Sequence, residues 1–81
     1  MIRDYHGKVP MGLRELRKQR GWTLEAVAYL AQRDQATISR IERGLVEPSP
    51  ETTVALARTF GISIERLRRL LAETQAEEVA S

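Results

Sequence analysis

Apolar residues recur along this chain at the spacing of an α-helix, and no segment shows the strict alternation that is typical of a strand. The clearest case is LEAVAYLA, residues 24–31, in which Leu24, Val27, Ala28 and Ala31 fall at positions i, i+3, i+4 and i+7. This spacing places the apolar side chains on one face of a helix. The pattern therefore predicts an amphipathic helix here and an all-α fold for the chain.

Residues that cap helices indicate where each helix begins and ends. Side chains that can accept a hydrogen bond from a free N–H group precede four segments, and they belong to Thr23, Asp34, Ser49 and Ser63. Glycines that can end a helix follow three segments, at Gly21, Gly44 and Gly61. We therefore expect five short helices packed as a compact bundle. The predicted inward positions of the last three are Ile38, Ile41, Thr53, Leu56, Ala57, Phe60, Ile64, Leu67 and Leu71.

The segment DQATISRIERG, residues 34–44, carries little apolar surface for a helix. Its link to the preceding helix is three or four residues long, which is typical of a helix-turn-helix. With Ile38 and Ile41 inward, the residues left facing outward are Gln35, Ala36, Ser39, Arg40 and Arg43. Gln and Arg can pair with adenine and guanine in the major groove, and an Ala methyl can contact thymine. Any solvated helix has a similar face, so both interpretations stay open at this point.

The distribution of charge along the chain is more informative about a binding partner than the net charge of +2. Residues 1–46 carry nine Lys and Arg against five Asp and Glu, a net +4, whereas residues 47–81 carry four against six, a net −2. The basic half contains the polar-faced helix, which suits contact with a polyanion. Many ordinary domains are equally lopsided, so this asymmetry favours nucleic-acid binding only slightly.

The composition argues against several classes of protein. With no Cys and a single His, neither a disulfide nor a clustered metal site is expected. We find no nucleophile–base pair and no phosphate-binding glycine loop, so we expect no enzyme and no cofactor. No apolar run approaches the roughly 20 residues that span a membrane, and the N-terminus lacks a signal-peptide core. A cytoplasmic protein without a membrane partner is expected.

The two ends of the chain differ from its centre. MIRDYHGKVP, residues 1–10, ends in proline and is predicted to be an N-terminal arm. The polar tail ETQAEEVAS, residues 73–81, either frays or prolongs the fifth helix. The folded domain is accordingly expected at residues 11–72.

The block from Leu13 to about Leu71 resembles the phage-repressor/Cro (Xre-like) family of helix-turn-helix DNA-binding domains. The likeness runs without gaps and is strongest in TISRIERG followed by EPSPET, with FGIS before the fifth helix adding to it. It implies a lambda-repressor-like bundle whose third helix, residues 35–43, lies in the major groove of double-stranded DNA.

The resemblance also implies roles for individual residues. Base-reading positions correspond to Gln35, Ala36, Ser39 and Arg40. Contacts with backbone phosphates correspond to Thr23, Thr37 and Arg43. An internal ion pair is implied between Arg17 and Glu42. The alternative for Glu42 is a contact with cytosine, and the pair is favoured because an acid near phosphates is costly unless it is neutralised.

Four positions depart from the family pattern. Gln32 stands where the family has a turn glycine, and Arg33 where it has an apolar residue. Arg33 thereby loses a core contact and becomes a further candidate for a phosphate contact. Leu24 cannot reach a phosphate as the usual glutamine does, and Thr53 replaces a core leucine. These departures weaken the transfer of single contacts rather than the fold assignment.

The resemblance implies a sequence-specific transcriptional regulator, acting as a repressor or autoregulator. Because two-fold dimers read two half-sites about one helical turn apart, we expect a homodimer on a pseudo-palindromic operator. Its contact surface is expected to include helix five, where Leu70 is left over beside the inward residues. Activation through RNA polymerase stays open. The alternative is an antitoxin, which would also bind a toxin, or a protein-interaction module on the same fold.

Overall fold

Five helices make up the part of the chain that the structure describes. A computed structural model describes the backbone of residues 12–80 and the side chains of residues 12–73. The helices are α1 (Leu13–Gln19), α2 (Leu24–Ala31), α3 (Gln35–Glu42), α4 (Pro50–Phe60) and α5 (Ile64–Ala80). Over the described residues there is no strand, and the predicted all-α five-helix fold is confirmed. The arm predicted at residues 1–10 lies outside the described residues.

The predicted caps start four of the helices. Each capping side chain accepts a hydrogen bond from the backbone N–H three residues on, at 3.0–3.2 Å. The four caps are Thr23, Asp34, Ser49 and Ser63. Because these bonds are made within one turn, they satisfy N–H groups that the helix itself leaves free. The helix starts are therefore determined locally, whatever the helices pack against.

A single apolar core joins all five helices. Its buried members are Leu13, Leu16, Val27, Ala28, Ala31, Ile38, Ile41, Leu56, Ala57, Phe60, Leu67 and Leu70. Trp22 and Leu24 are partly buried against it. Thr53, predicted to be inward, is buried and donates its hydroxyl to the Ser49 carbonyl at 2.9 Å. The small residues Ala28 and Ala31 let α2 lie close to α3 and α4, which are both packed against it.

The inward face of α5 differs from the one predicted. Leu67 and Leu70 are buried, at 0% and 5% exposure, whereas Ile64 is 38% exposed and Leu71 is intermediate. The prediction that Ile64 is inward is wrong because it is the first residue of α5, and the helix meets α1, α3 and α4 through later turns. The prediction that Leu70 is left over for a dimer contact is also wrong, since this side chain belongs to the apolar core of the bundle.

No helix within the described range is both long enough and apolar enough to cross a membrane. The longest helix, α5, has 17 residues and continues to Ala80, through most of the predicted polar tail.

Candidate nucleic-acid interface

The third helix is held by two isoleucines and presents its other side to solvent. Ile38 and Ile41 are 0% and 1% exposed, and both belong to the core. The exposed residues of this segment are Gln35, Ala36, Arg40 and Arg43, and Thr37 and Ser39 are intermediate. Within the described residues, the predicted base-reading and phosphate positions of α3 are therefore exposed or partly exposed. Arg43 is the C-cap of this helix rather than its last helical residue.

The carboxylate of Asp34 lies at the start of α3, next to the predicted DNA-contact residues. Asp34 accepts from the backbone N–H of Thr37 at 3.2 Å, and the Thr37 hydroxyl lies 3.5 Å from the same oxygen. This cap stabilises the first turn of α3. A phosphate contact by Thr37 stays a prediction, and it requires its hydroxyl to face away from Asp34.

An ion pair ties α1 to the end of α3. Arg17 donates from Nε to Glu42 Oε2 at 2.6 Å and from a second nitrogen to Oε1 at 3.1 Å. Both side chains are largely withdrawn from solvent, and the two-bond geometry is the strongest form of such a pair. Glu42 is therefore engaged within the protein, as the resemblance implied, and is not presented as an acceptor for cytosine.

The same arginine also fixes the entrance to α2. Arg17 Nη1 donates to the Trp22 carbonyl at 3.0 Å, one residue before the cap Thr23. The Trp22 and Phe60 rings lie 5.3 Å apart, with the Arg20 guanidinium over both. Thr23 is exposed at the free N-terminus of α2, where anions are stabilised by free N–H groups and the helix dipole. One residue thus links the N-terminus of α2 to the C-terminal end of α3.

The turn between α2 and α3 closes without a glycine. Gln32 adopts a left-handed conformation with φ of 57°, which is uncommon for a residue with a side chain. Its N–H bonds to the Tyr29 carbonyl at 3.1 Å, and the next N–H bonds to the Ala28 carbonyl at 2.9 Å. This double closure is the one that glycine usually makes at the end of a helix.

Arg33, predicted to contact a phosphate, makes its hydrogen bonds inside the protein. Its Nε donates to Thr52 Oγ1 at 2.8 Å, and its Nη1 donates to the Gln32 carbonyl at 2.9 Å. Sequence reasoning missed this link because Arg33 and Thr52 lie 19 residues apart and no local pattern relates them. A phosphate contact by Arg33 stays a prediction that must compete with these bonds.

An open groove runs beside the end of α3. It has a volume of about 370 Å³ and lies between the connection from α3 to α4 and the middle of α5. Apolar lining comes from Val46, Pro48, Leu71 and Ala72, and Arg68 and Glu47 add one charge of each sign. Val46 is exposed although it is apolar. Within residues 12–73 no group of three or more His, Asp or Glu side chains is placed to hold a metal ion.

Comparison with known proteins agrees with this geometry. The helix-turn-helix domain family matches the chain over residues 12–71. A relative from Deinococcus deserti, described as the HTH-type transcriptional regulator DdrOP3, is 46% identical over 55 residues. The match covers 68% of this chain and 43% of the relative, so less than half of the relative's length has a counterpart here. No solved structure matched the chain significantly.

Proposed function

Because the chain belongs to the helix-turn-helix domain family, we propose that it is a sequence-specific transcriptional regulator of the Cro/Xre type that reads double-stranded DNA. The observation that carries the proposal is the third helix, whose isoleucines are buried while Gln35, Ala36 and Arg40 are exposed on the other side. The relative from D. deserti, named a transcriptional regulator, supports the same function.

Base reading follows from the chemistry of the exposed α3 residues. Arg40 can donate two hydrogen bonds to guanine, and Gln35 can donate to and accept from adenine. Ala36 and Ser39 are small, so the helix can approach base edges closely, and the Ala36 methyl can touch thymine. We assign phosphate contacts to Thr23 at the start of α2, to Thr37 in α3 and to Arg43 at the end of α3.

The proposed readout predicts different outcomes for two exposed arginines. Arg40→Ala should cost about 1–3 kcal/mol of binding free energy on the best duplex and relax the preference at one base pair, because it removes a base contact. Arg43→Ala should weaken binding to all duplexes alike and lower the slope of log K against log salt by about 1, because it removes a phosphate contact. Selection of bound duplexes from a random pool, followed by salt titrations, measures both. An Arg40→Ala variant that selects the same sites as the unaltered chain contradicts the assignment.

We also propose that the regulator binds a pseudo-palindromic operator as a homodimer. A domain of this size contacts few base pairs, and a two-fold dimer doubles the number that is read. The groove beside α5 is the surface we assign to the second subunit, because it is open, partly apolar and adjacent to the end of α3. Its opposite charges at Arg68 and Glu47 suit a self-complementary contact, in which each subunit presents the same patch.

A single introduced cysteine tests this dimer, because the chain contains none. Ala72→Cys lies in the groove and should form a disulfide-linked dimer under mild oxidation if two copies meet there. Arg58→Cys, on the exposed surface of α4, is the matched control and should remain monomeric. Non-reducing electrophoresis and sedimentation measure the outcome. A chain that sediments as a monomer at tens of micromolar, both alone and on DNA, contradicts the dimer.

The rival function, an antitoxin or protein-interaction module, is favoured by a different surface. Leu30 and Val54 are exposed in a cleft between α2 and α4. Tyr29, next to Leu30 on α2, is 80% exposed. Exposed apolar residues of this kind are common on proteins that bind no partner there. Retention on a DNA column that falls steeply with salt, with competition by specific duplexes, supports the regulator. Indifference to every duplex at low ionic strength supports the rival.

A further inference from the structure

We propose that Arg33 is a positioning residue that holds the turn of the helix-turn-helix against α4. It thereby sets the orientation in which α3 enters the major groove of DNA. The inference rests on the proposed DNA-binding function and concerns how its specificity arises. Arg33 is intermediate in burial, follows the left-handed Gln32 and directly precedes Asp34, the cap of α3. Whatever holds Arg33 therefore also holds the first turn of the proposed recognition helix.

The attachment point on α4 is built from two hydroxyl groups. Thr52 Oγ1 accepts from Arg33 Nε at 2.8 Å and from Ser49 Oγ at 3.1 Å. Ser49 Oγ in turn accepts from the Thr52 backbone N–H at 3.2 Å, as the cap of α4. The Thr52 side chain is inside the protein, at 7% exposure for the residue. A buried hydroxyl that accepts from a guanidinium is costly to leave without that donor, so the contact has consequences if it is broken.

The other end of the guanidinium holds the turn itself. Arg33 Nη1 donates to the Gln32 carbonyl at 2.9 Å, so one planar group bonds to the turn and to α4 together. Hydrogen bonds from a charged donor are roughly twice as strong as those between neutral groups. The left-handed Gln32 lacks the conformational freedom of glycine, and the guanidinium contact stabilises its carbonyl in that geometry.

Attraction to the helix dipole does not explain this placement. The N-terminus of a helix is its positive end and disfavours a nearby cation. Glu51, in the first turn of α4, offsets part of this repulsion. The hydrogen bond to Thr52 is therefore what places Arg33 at the start of α4. Because a hydrogen bond is directional, it also fixes the orientation of the guanidinium.

The two roles for Arg33 differ in what they do to binding. A phosphate contact adds affinity for every duplex and raises the salt dependence. A positioning contact changes only the alignment of α3, so it affects the best duplex and leaves binding to unrelated duplexes unchanged. It also makes the effects of changing Arg33 and Thr52 non-additive, because each change breaks the same link.

The experiment compares Arg33→Met, Thr52→Val and the double variant on two duplexes, the selected operator and a scrambled one. We expect each single change to weaken operator binding roughly tenfold. The double variant should be no weaker than either single, with scrambled binding and the salt slope unchanged. Thr52→Ser keeps the accepting hydroxyl and should retain operator affinity. Arg58→Met removes the same positive charge from an exposed arginine of α4. Its effect on operator affinity therefore measures what the loss of charge alone contributes, and it should be much smaller than the effect of Arg33→Met.

Other outcomes overturn the inference in ways that can be told apart. If Arg33→Met weakens both duplexes alike and lowers the salt slope by about 1, while Thr52→Val has no effect, Arg33 is a phosphate contact. If Thr52→Ser loses operator affinity as Thr52→Val does, the hydroxyl is not the attachment point. If the unaltered chain binds neither duplex, the proposed function itself fails and this inference fails with it.

Discussion

Ile38→Ala is expected to lower the free energy of unfolding by about 2–5 kcal/mol, the range for large-to-small changes at buried positions. Ile38 is completely buried and lies at the centre of the inner face of α3. Removing its branched side chain leaves a cavity under the proposed recognition helix, and the surrounding helices can close it only in part. Since small domains have about 5–15 kcal/mol of stability in total, the loss is a large part of what this chain has.

Urea unfolding followed by the fluorescence of Trp22, the only tryptophan of the chain, measures this change. Ile64→Ala is the matched control, because the same side chain is removed from a position that is 38% exposed. We expect a much smaller loss there. A comparable loss in both variants would show that α5 buries Ile64 in solution, contrary to the structure. DNA binding by Ile38→Ala should fall along with the folded fraction, since Ile38 is one of the two apolar side chains that α3 buries in the core.

Glu42→Ala is expected to cost about 3 kcal/mol of stability, the lower end of the range for breaking a buried pair. The change removes both carboxylate oxygens that accept from Arg17 and leaves the guanidinium charge partly buried. Among the described residues, the Trp22 carbonyl still accepts from Arg17. Glu73→Ala, at an exposed acid of α5 outside the groove, is the control and should be nearly neutral. Equilibrium unfolding in urea measures both variants.

A second substitution separates the ion pair from other effects of Glu42. Arg17→Met in the Glu42→Ala background removes the uncompensated charge while keeping an apolar stem, so part of the lost stability should return. If the double variant is less stable than Glu42→Ala, the charge on Arg17 is satisfied by something other than Glu42. A Glu42→Ala variant that keeps full stability but changes its preference at one base pair would show that Glu42 reads cytosine.

The helices and their starts could be predicted because the interactions that determine them are local. Thr23, Asp34 and Ser49 each bond to an N–H only three residues away, so the signal and its partner lie in one short stretch. The inward and outward sides of α3 follow in the same way, because Ile38 and Ile41 are three residues apart on one face. The exposure of Gln35 and Arg40 then follows from helical geometry.

The partners of the site's charged residues could not be predicted from local pattern. Arg17 meets Glu42 across 25 residues of sequence, and Arg33 meets Thr52 across 19. The first pair was implied by resemblance to a family, whereas the second departs from that family and had no signal. Arg33 stands where the family has an apolar turn residue, so the resemblance gives it no partner. Its partner, Thr52, is brought close only when α2 and α4 pack together.

The sequence by itself determined five amphipathic helices, their caps and a polar, basic face on the third of them. The tertiary structure alone decided that Leu70 is buried beside Leu67 while Leu71 is only partly buried, and where the Arg33 guanidinium is held. The physical reason is one of range. Periodicity and capping act within about one helical turn, whereas burial and charge pairing depend on how separate helices pack, and several packings satisfy the same local pattern.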